Sequence, residues 1–246
     1  MTRLPPVTLV RQLDTHRLVP SHHLPGGDSV LAGLAGNDAD LQAIFALDMV
    51  TNDRLAAERR LLPGIGLEEL VFGVPHAIVI NAAFCHAHPL GARFNGPDRG
   101  AWYAGFALET SQAEVAFHKS VQLAEIGRFD DSVTYDDYLA DFSASLHDLR
   151  RARGFDACLD PASYVESQLL SESLLDAGSL GVVYPSVRSR PRQGSPRRQG
   201  PATQAGEAGS CVACFRPALV GNVRRGATYR FTWTGTASAA IETIDS

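Results

Sequence analysis

Hydrophobic positions change their rhythm along the chain, and the change divides it near residue 75. Behind the capping candidates Asn37 and Asp38, Leu41, Ile44, Phe45, Asp48 and Met49 keep most of an i, i+3, i+4 stripe, which predicts a helix. A second helical pattern covers Leu55 to Leu62 and stops at Pro63-Gly64. Residues 1–75 therefore read as a mostly helical N-terminal region packed on the core, and residues 76–246 as the core itself. In the core, Ala77 to Ile80 is a short β-branched run that predicts a buried strand, and Trp102 to Phe106 predicts another. Ser111 to Ile126 reads as a helix packing through Ala113, Val115, Ala116, Val121 and Leu123. Val133 to Leu149 fits one or two half-exposed strands. Val165, Leu169, Leu170, Leu174 and Leu175 mark a helix that ends at Gly178. Leu180 to Tyr184, Cys211 to Phe215 and Thr228 to Trp233 carry the aromatic and β-branched residues of further strands. The class implied is α+β.

Ser189 to Ser210 breaks the pattern, being rich in Pro, Gly, Gln and Arg with almost nothing to bury. It predicts a disordered loop between two strands. Its arginines, with Arg188, form a solvated charge run or a grip for phosphate. No internal repeat is visible.

Composition narrows the partners. The 246 residues are 45% hydrophobic and 20% charged, enough for a full core. A net charge of −5 removes any general electrostatic reason to bind nucleic acid or an anionic membrane. No run approaches the length of a membrane-spanning helix, and the start lacks the apolar core of a secretion signal, so a cytoplasmic protein is expected. The 4 cysteines are too few and too unevenly spaced for a disulfide scaffold, which agrees with a reducing compartment.

Gly91-Ala-Arg93-Phe-Asn95-Gly-Pro97 is a sharp turn that presents Arg93 and Asn95. Its guanidinium suits a pair of phosphate oxygens, or equally a surface ion pair. Tyr103 lies in a strand, on the face opposite Trp102, as core or as a stacking surface for an aromatic ring. Ser111-Gln-Ala-Glu114 fits a capping box. A carboxylate there is also held ionised by the helix dipole, which is useful beside a developing positive charge. Ser186 follows a proline at a strand end, a turn serine that can bond phosphate or ribose; no nucleophile elbow surrounds it. Cys85-His-Ala-His88 and Cys211-Val-Ala-Cys214 hold zinc-type ligands. Within a strand, however, cysteines three apart point to opposite faces, so no metal is expected. The deaminase pattern is absent, since no glutamate separates the histidines and Ser210 precedes Cys211.

Read in order, Gly91-Ala-Arg93-Phe-Asn, Trp102-Tyr103-Ala-Gly, Glu109-Thr-Ser-Gln-Ala-Glu114-Val and Tyr184-Pro-Ser186-Val-Arg resemble the RES-domain family. Thr15-His-Arg17-Leu-Val is similar to that family's opening strand, and Cys214 to Val220 to its closing strand. The chain departs from the family in the helical stretch between Arg17 and Arg93 and in the length of the Arg-rich loop.

The resemblance implies an ADP-ribosyltransferase-like fold with a split central β-sheet and flanking helices. It also implies a toxin of a toxin-antitoxin pair that consumes NAD, with water or orthophosphate accepting the ADP-ribose. The family's active residues fall on Arg93, Tyr103, Glu114 and Ser186, with Arg17 and Asn95 joining Arg93, Tyr103 and Ser186 in binding NAD. Glu109 is the fallback carboxylate. NAD is then substrate rather than cofactor, no metal is needed, and the expected partner is a helix-turn-helix antitoxin, with which the chain could form an oligomer. Two other functions compete: transfer of ADP-ribose to a protein through the same residues, and a noncatalytic module gripping nucleic acid through Arg188 to Arg198, whose binding would weaken steeply with salt.

Overall fold

A computed structural model describes residues 3–21, 64–189 and 209–244. The predicted helices at 41–49 and 55–62, and almost all of the Arg-rich loop, lie outside the described residues. Within them the chain runs β1 (Val7–Pro20), α1 (Ala77–Cys85), β2 (Trp102–Gly105), α2 (Leu108–Glu125), β3 (Asp130–Asp148), α3 (Val165–Asp176), β4 (Gly181–Pro185), β5 (Ser210–Cys214), β6 (Gly221–Thr234) and β7 (Ala240–Ile244). The α+β class is as expected.

The strands form one seven-stranded sheet in the order β1-β2-β5-β4-β3-β6-β7, with β1 also paired to β3. That extra pairing splits it into two. Long antiparallel strands β1, β3, β6 and β7 make one part, and short strands β2, β5 and β4 the other. The two parts meet at His16↔Gly105 and at the parallel contact His147↔Val182. Because these seams sit towards opposite ends of the β1–β3 ladder, the short sheet must lie across its face. The split sheet that the family resemblance implies is thus present.

Side-chain alternation builds three cores on this frame. Val10, Ala140, Phe142 and Leu146 of the long sheet meet Trp102, Val183, Val212 and Cys214 of the short one, with α1 closing the side. The opposite faces of β4 and β5 place Val182, Tyr184, Cys211 and Ala213 against Leu170 and Leu174 of α3. Leu18, Tyr135, Phe231 and Trp233 pack on Leu123 of α2. Short strands buried on both faces explain why their sequences are continuous apolar runs.

Three expectations need correction. Ala77 to Ile80 is the first turn of helix α1 rather than a strand. The apolar run is buried nearly all round, and a buried helix and a buried strand share that pattern; Asn81, whose side chain bonds the backbone N–H and C=O of Val71, holds the helical form. The N-terminal region contributes a 14-residue strand, longer than the Arg17 segment alone, and that strand is integral to the sheet. Helix α2 starts at Leu108 with Ala107 as its N-cap, so Ser111 and Glu114 form no capping box. The Ser111 hydroxyl instead accepts from the Gly105 N–H and donates to the His16 carbonyl, fastening α2 to the β1–β2 seam.

Candidate functional site

The turn that carries Arg93 is tight. Gly91 has a φ of 67°, and a Cβ there would stand 2.2 Å from the Asn95 carbonyl oxygen, so only glycine fits. Ala92 and Asn95 pair across the turn. From α3, the Gln168 amide donates to the Leu90 and Ala92 carbonyls and ties the turn to the second core.

This scaffold directs Arg93 inward, where the residue is only 6% exposed. Its Nη1 donates to the Cys158 and Asp160 carbonyls at 3.2 and 2.8 Å, and the guanidinium lies over the Tyr164 ring, 4.7 Å from its centroid. Nη2 is buried with no hydrogen-bond partner among the described residues. A buried donor without an acceptor is costly, so a ligand atom has a vacant place to fill.

Tyr103 on β2 sits beneath the same turn. Its hydroxyl donates to the Asn95 side-chain oxygen at 2.8 Å and accepts from the Phe94 N–H at 2.9 Å. Burial pushes this phenol well above its ordinary value, so it stays protonated. The β2 carbonyl of Tyr103 accepts from Arg17 Nη1 at 3.2 Å, and the Arg17 guanidinium lies over Trp102. Burial lowers Arg17 to about 10, which leaves it charged at neutral pH. Its Nε, too, is buried without a partner among the described residues.

Glu114 lies in the second turn of α2, facing the end of β4. Ser186 Oγ donates to Glu114 Oε1 at 2.6 Å and accepts from the Arg188 and Ser189 N–H groups at 3.1 and 2.9 Å. The hairpin that positions Ser186 closes with its N–H on the Gly209 carbonyl. Burial raises the Glu114 carboxyl above its ordinary value, while the Ser186 bond and the charges of Arg188 and Arg93 pull the other way. Arg188 covers the face of Phe117 on α2 and bonds the Pro161 carbonyl, with its Nε also unpartnered among the described residues.

The structure therefore gathers six of the named residues, from five separated segments, into two linked clusters. Arg17, Arg93, Asn95 and Tyr103 form one; Glu114 and Ser186 form the other, joined to it by the Arg93 charge. Glu109 does not join them, being exposed at the start of α2, where its charge acts on Tyr229. Sequence reading passed over His118 and Tyr164. His118 was detectable, since it stands one helical turn after Glu114 and so shares its face; nothing in the sequence pointed to Tyr164. Cys211 and Cys214 are buried in β5, and burial holds the Cys214 thiol up at about 12.

A family model described as the RES domain matches residues 70–234. No curated protein matches the chain in sequence. Among solved structures, the chain is similar to one in the crystal structure of the M. tuberculosis MbcT-MbcA toxin-antitoxin complex, with a TM-score of 0.45 and 8% sequence identity, over 90% of this chain and 85% of that one.

Proposed function

The chain belongs to the RES domain family, and from that premise we propose that it is the toxin of a toxin-antitoxin pair and cleaves the nicotinamide-ribose bond of NAD. One observation carries the reading: Arg17, Arg93 and Arg188, gathered around Tyr103 and Glu114, each keep a buried N–H without an acceptor among the described residues. A diphosphate offers such arginines paired anionic oxygens, and a partly buried carboxylate beside them suits a sugar that becomes cationic.

In this mechanism the arginines bind the pyrophosphate, and the fixed turn at 91–96 sets where it lies. Nicotinamide leaves with the electron pair of its glycosidic bond and departs neutral, so the positive charge moves to the ribosyl carbon. Ionised Glu114 stabilises that charge, and Ser186 keeps the carboxylate aimed. Tyr103 has committed its proton to Asn95, which suits it to holding the Arg93 turn and offering a ring face to the substrate. Water or orthophosphate then takes the ADP-ribosyl group.

Incubating purified protein with NAD, with and without orthophosphate, tests the reading. Free nicotinamide with ADP-ribose or its phosphorylated counterpart is expected, and NAD that survives intact overturns it. The antitoxin partner is part of the same proposal. An antitoxin segment presenting a carboxylate to Arg93 would compete with NAD, so the product of the adjacent reading frame should raise the apparent KM.

A further inference from the structure

We propose that His118 is a catalytic residue of the acceptor step: with Glu114 it holds the protic oxygen that attacks the ribosyl carbon, and it removes that oxygen's proton. The inference rests on the NAD-cleaving reading of the site.

Geometry carries it. His118 follows Glu114 by one turn of α2, and its Nε2 stands 4.0 Å from Glu114 Oε2. Ser186 occupies the other carboxylate oxygen, so among the described residues Oε2 is the edge open to a ligand. The 4.0 Å gap is too wide for a direct hydrogen bond, yet an oxygen about 2.8 Å from each atom fits as the apex of a triangle. The His118 side chain is 53% exposed, so the imidazole is open to an acceptor from solvent. Phe117 meets the imidazole edge-on at 5.5 Å and is itself covered by Arg188, which fixes the seat of the ring.

The surroundings favour the basic form. Besides Glu114 on its own helix, the ring faces Arg188 from beyond β4, Arg93 from the 91–96 turn and His88 from the segment after α1. Partial burial and these three groups hold the imidazole below its ordinary value. A neutral ring with a free lone pair at neutral pH is what a general base requires. In the step itself, the C1′–N bond breaks and its electrons leave with nicotinamide, while a lone pair of the acceptor oxygen forms the C1′–O bond. The acceptor proton passes to His118 Nε2 and then to solvent, so hydrolysis of one NAD releases one proton. Glu114 stays ionised throughout.

A general base is dispensable for a nucleophile that carries no proton, and this gives the test. His118→Gln should slow nicotinamide release in water roughly 100-fold or more, with KM for NAD little changed. Adding azide should restore release in this variant and yield an ADP-ribosyl azide, while changing the wild-type rate little. His118→Ala, a second variant at a half-exposed position, should recover on addition of imidazole. Hydrolysis by His118→Gln within about threefold of wild type overturns the inference, as does lost activity that neither azide nor imidazole restores in variants whose melting is unchanged. A wild-type protein that releases no nicotinamide overturns the NAD reading itself, and this inference with it.

Discussion

Two glutamates in this molecule each lie among two arginines, and they behave oppositely. Glu69 is gripped: Arg99 contacts both its oxygens at 2.7 and 2.6 Å, and Arg216 adds a third bond at 2.8 Å. These bonds, led by Arg99, hold its carboxyl down at about 2. Glu114 feels Arg93 and Arg188 only through space and is bonded by Ser186 instead, so burial wins and its carboxyl is raised. In the first cluster one carboxylate is shared by both arginines and joins the segment before α1 to the end of β5. In the second they are kept apart, each arginine braced by carbonyls or rings, and the capacity to bind is left unspent. A charged triad is structural when its hydrogen bonds close on themselves and available for chemistry when they do not.

The largest expected effect comes from breaking the open cluster. Glu114→Gln keeps an acceptor for Ser186 but loses the negative charge, and NAD turnover should fall by about 10²- to 10³-fold, the scale of removing one preorganised electrostatic contact. Steady-state kinetics would show it, and an unchanged kcat would return Glu114 to a structural role.

Glu69→Gln should do the reverse. Loss of the charge that neutralises buried Arg99 should cost about 2–3 kcal/mol in denaturant unfolding, below the ~3–5 kcal/mol of a fully buried pair because Glu69 is 26% exposed. Below its melting range the variant should retain near wild-type NAD turnover; loss of activity without loss of stability would erase the contrast.

Between these lies the turn that supports the open cluster. Tyr103→Phe strands the Asn95 side-chain oxygen and the Phe94 N–H, so stability should drop by about 1–2 kcal/mol and KM for NAD should rise more than kcat falls. A change in kcat alone would instead give the hydroxyl a part in the chemistry.

The smallest effect is in pH, where the two carboxyls carry opposite signs. Glu69 is lowered in the fold, so its stabilisation is present above the unfolded value near 4.5 and is lost as pH falls from there through about 2. Glu114 is raised, so its contribution is fully present below about 4.5 and disappears as pH rises through its folded value. Unfolding at pH 7 should therefore find Glu114→Gln no less stable than wild type, with any advantage gone below pH 4.5. For Glu69→Gln the deficit should shrink as pH falls towards 2. Turnover should also decline on acidification from neutrality, because the proposed mechanism needs Glu114 ionised.

Much of the frame was legible in the sequence because it depends on neighbours a few residues apart. Runs of aromatic and β-branched residues placed β2, β4 and β5, the 3.6 period placed α2 and α3, and Gly178 marked where α3 stops: its φ is 72° and its N–H bonds the Leu175 carbonyl. Arg93, Tyr103, Glu114 and Ser186 were singled out from short motifs in order, and the fold draws them into two neighbouring clusters. The misreadings arose where a local pattern has two solutions. An apolar run such as Ala77 to Ile80 suits either a buried helix or a buried strand, and only contacts with Val71 and the short sheet select between them. Ser111-Gln-Ala-Glu114 has the spelling of a cap, yet the helix has already begun at Leu108 and the Ser111 hydroxyl is taken by the β1–β2 seam.

By itself, then, the sequence determined most of the segments that become strands and helices and which residue types are available for chemistry. It could not tell Glu69 from Glu114. The bonds that separate them span 30 and 147 residues in one case and 72 in the other, and no local pattern encodes which arginine reaches which oxygen. Tertiary structure decided that one glutamate would be saturated and the other left open, because only the crossing of the two sheets fixes those distances, and at hydrogen-bonding range a shift of about an ångström separates a closed ion pair from a vacant site.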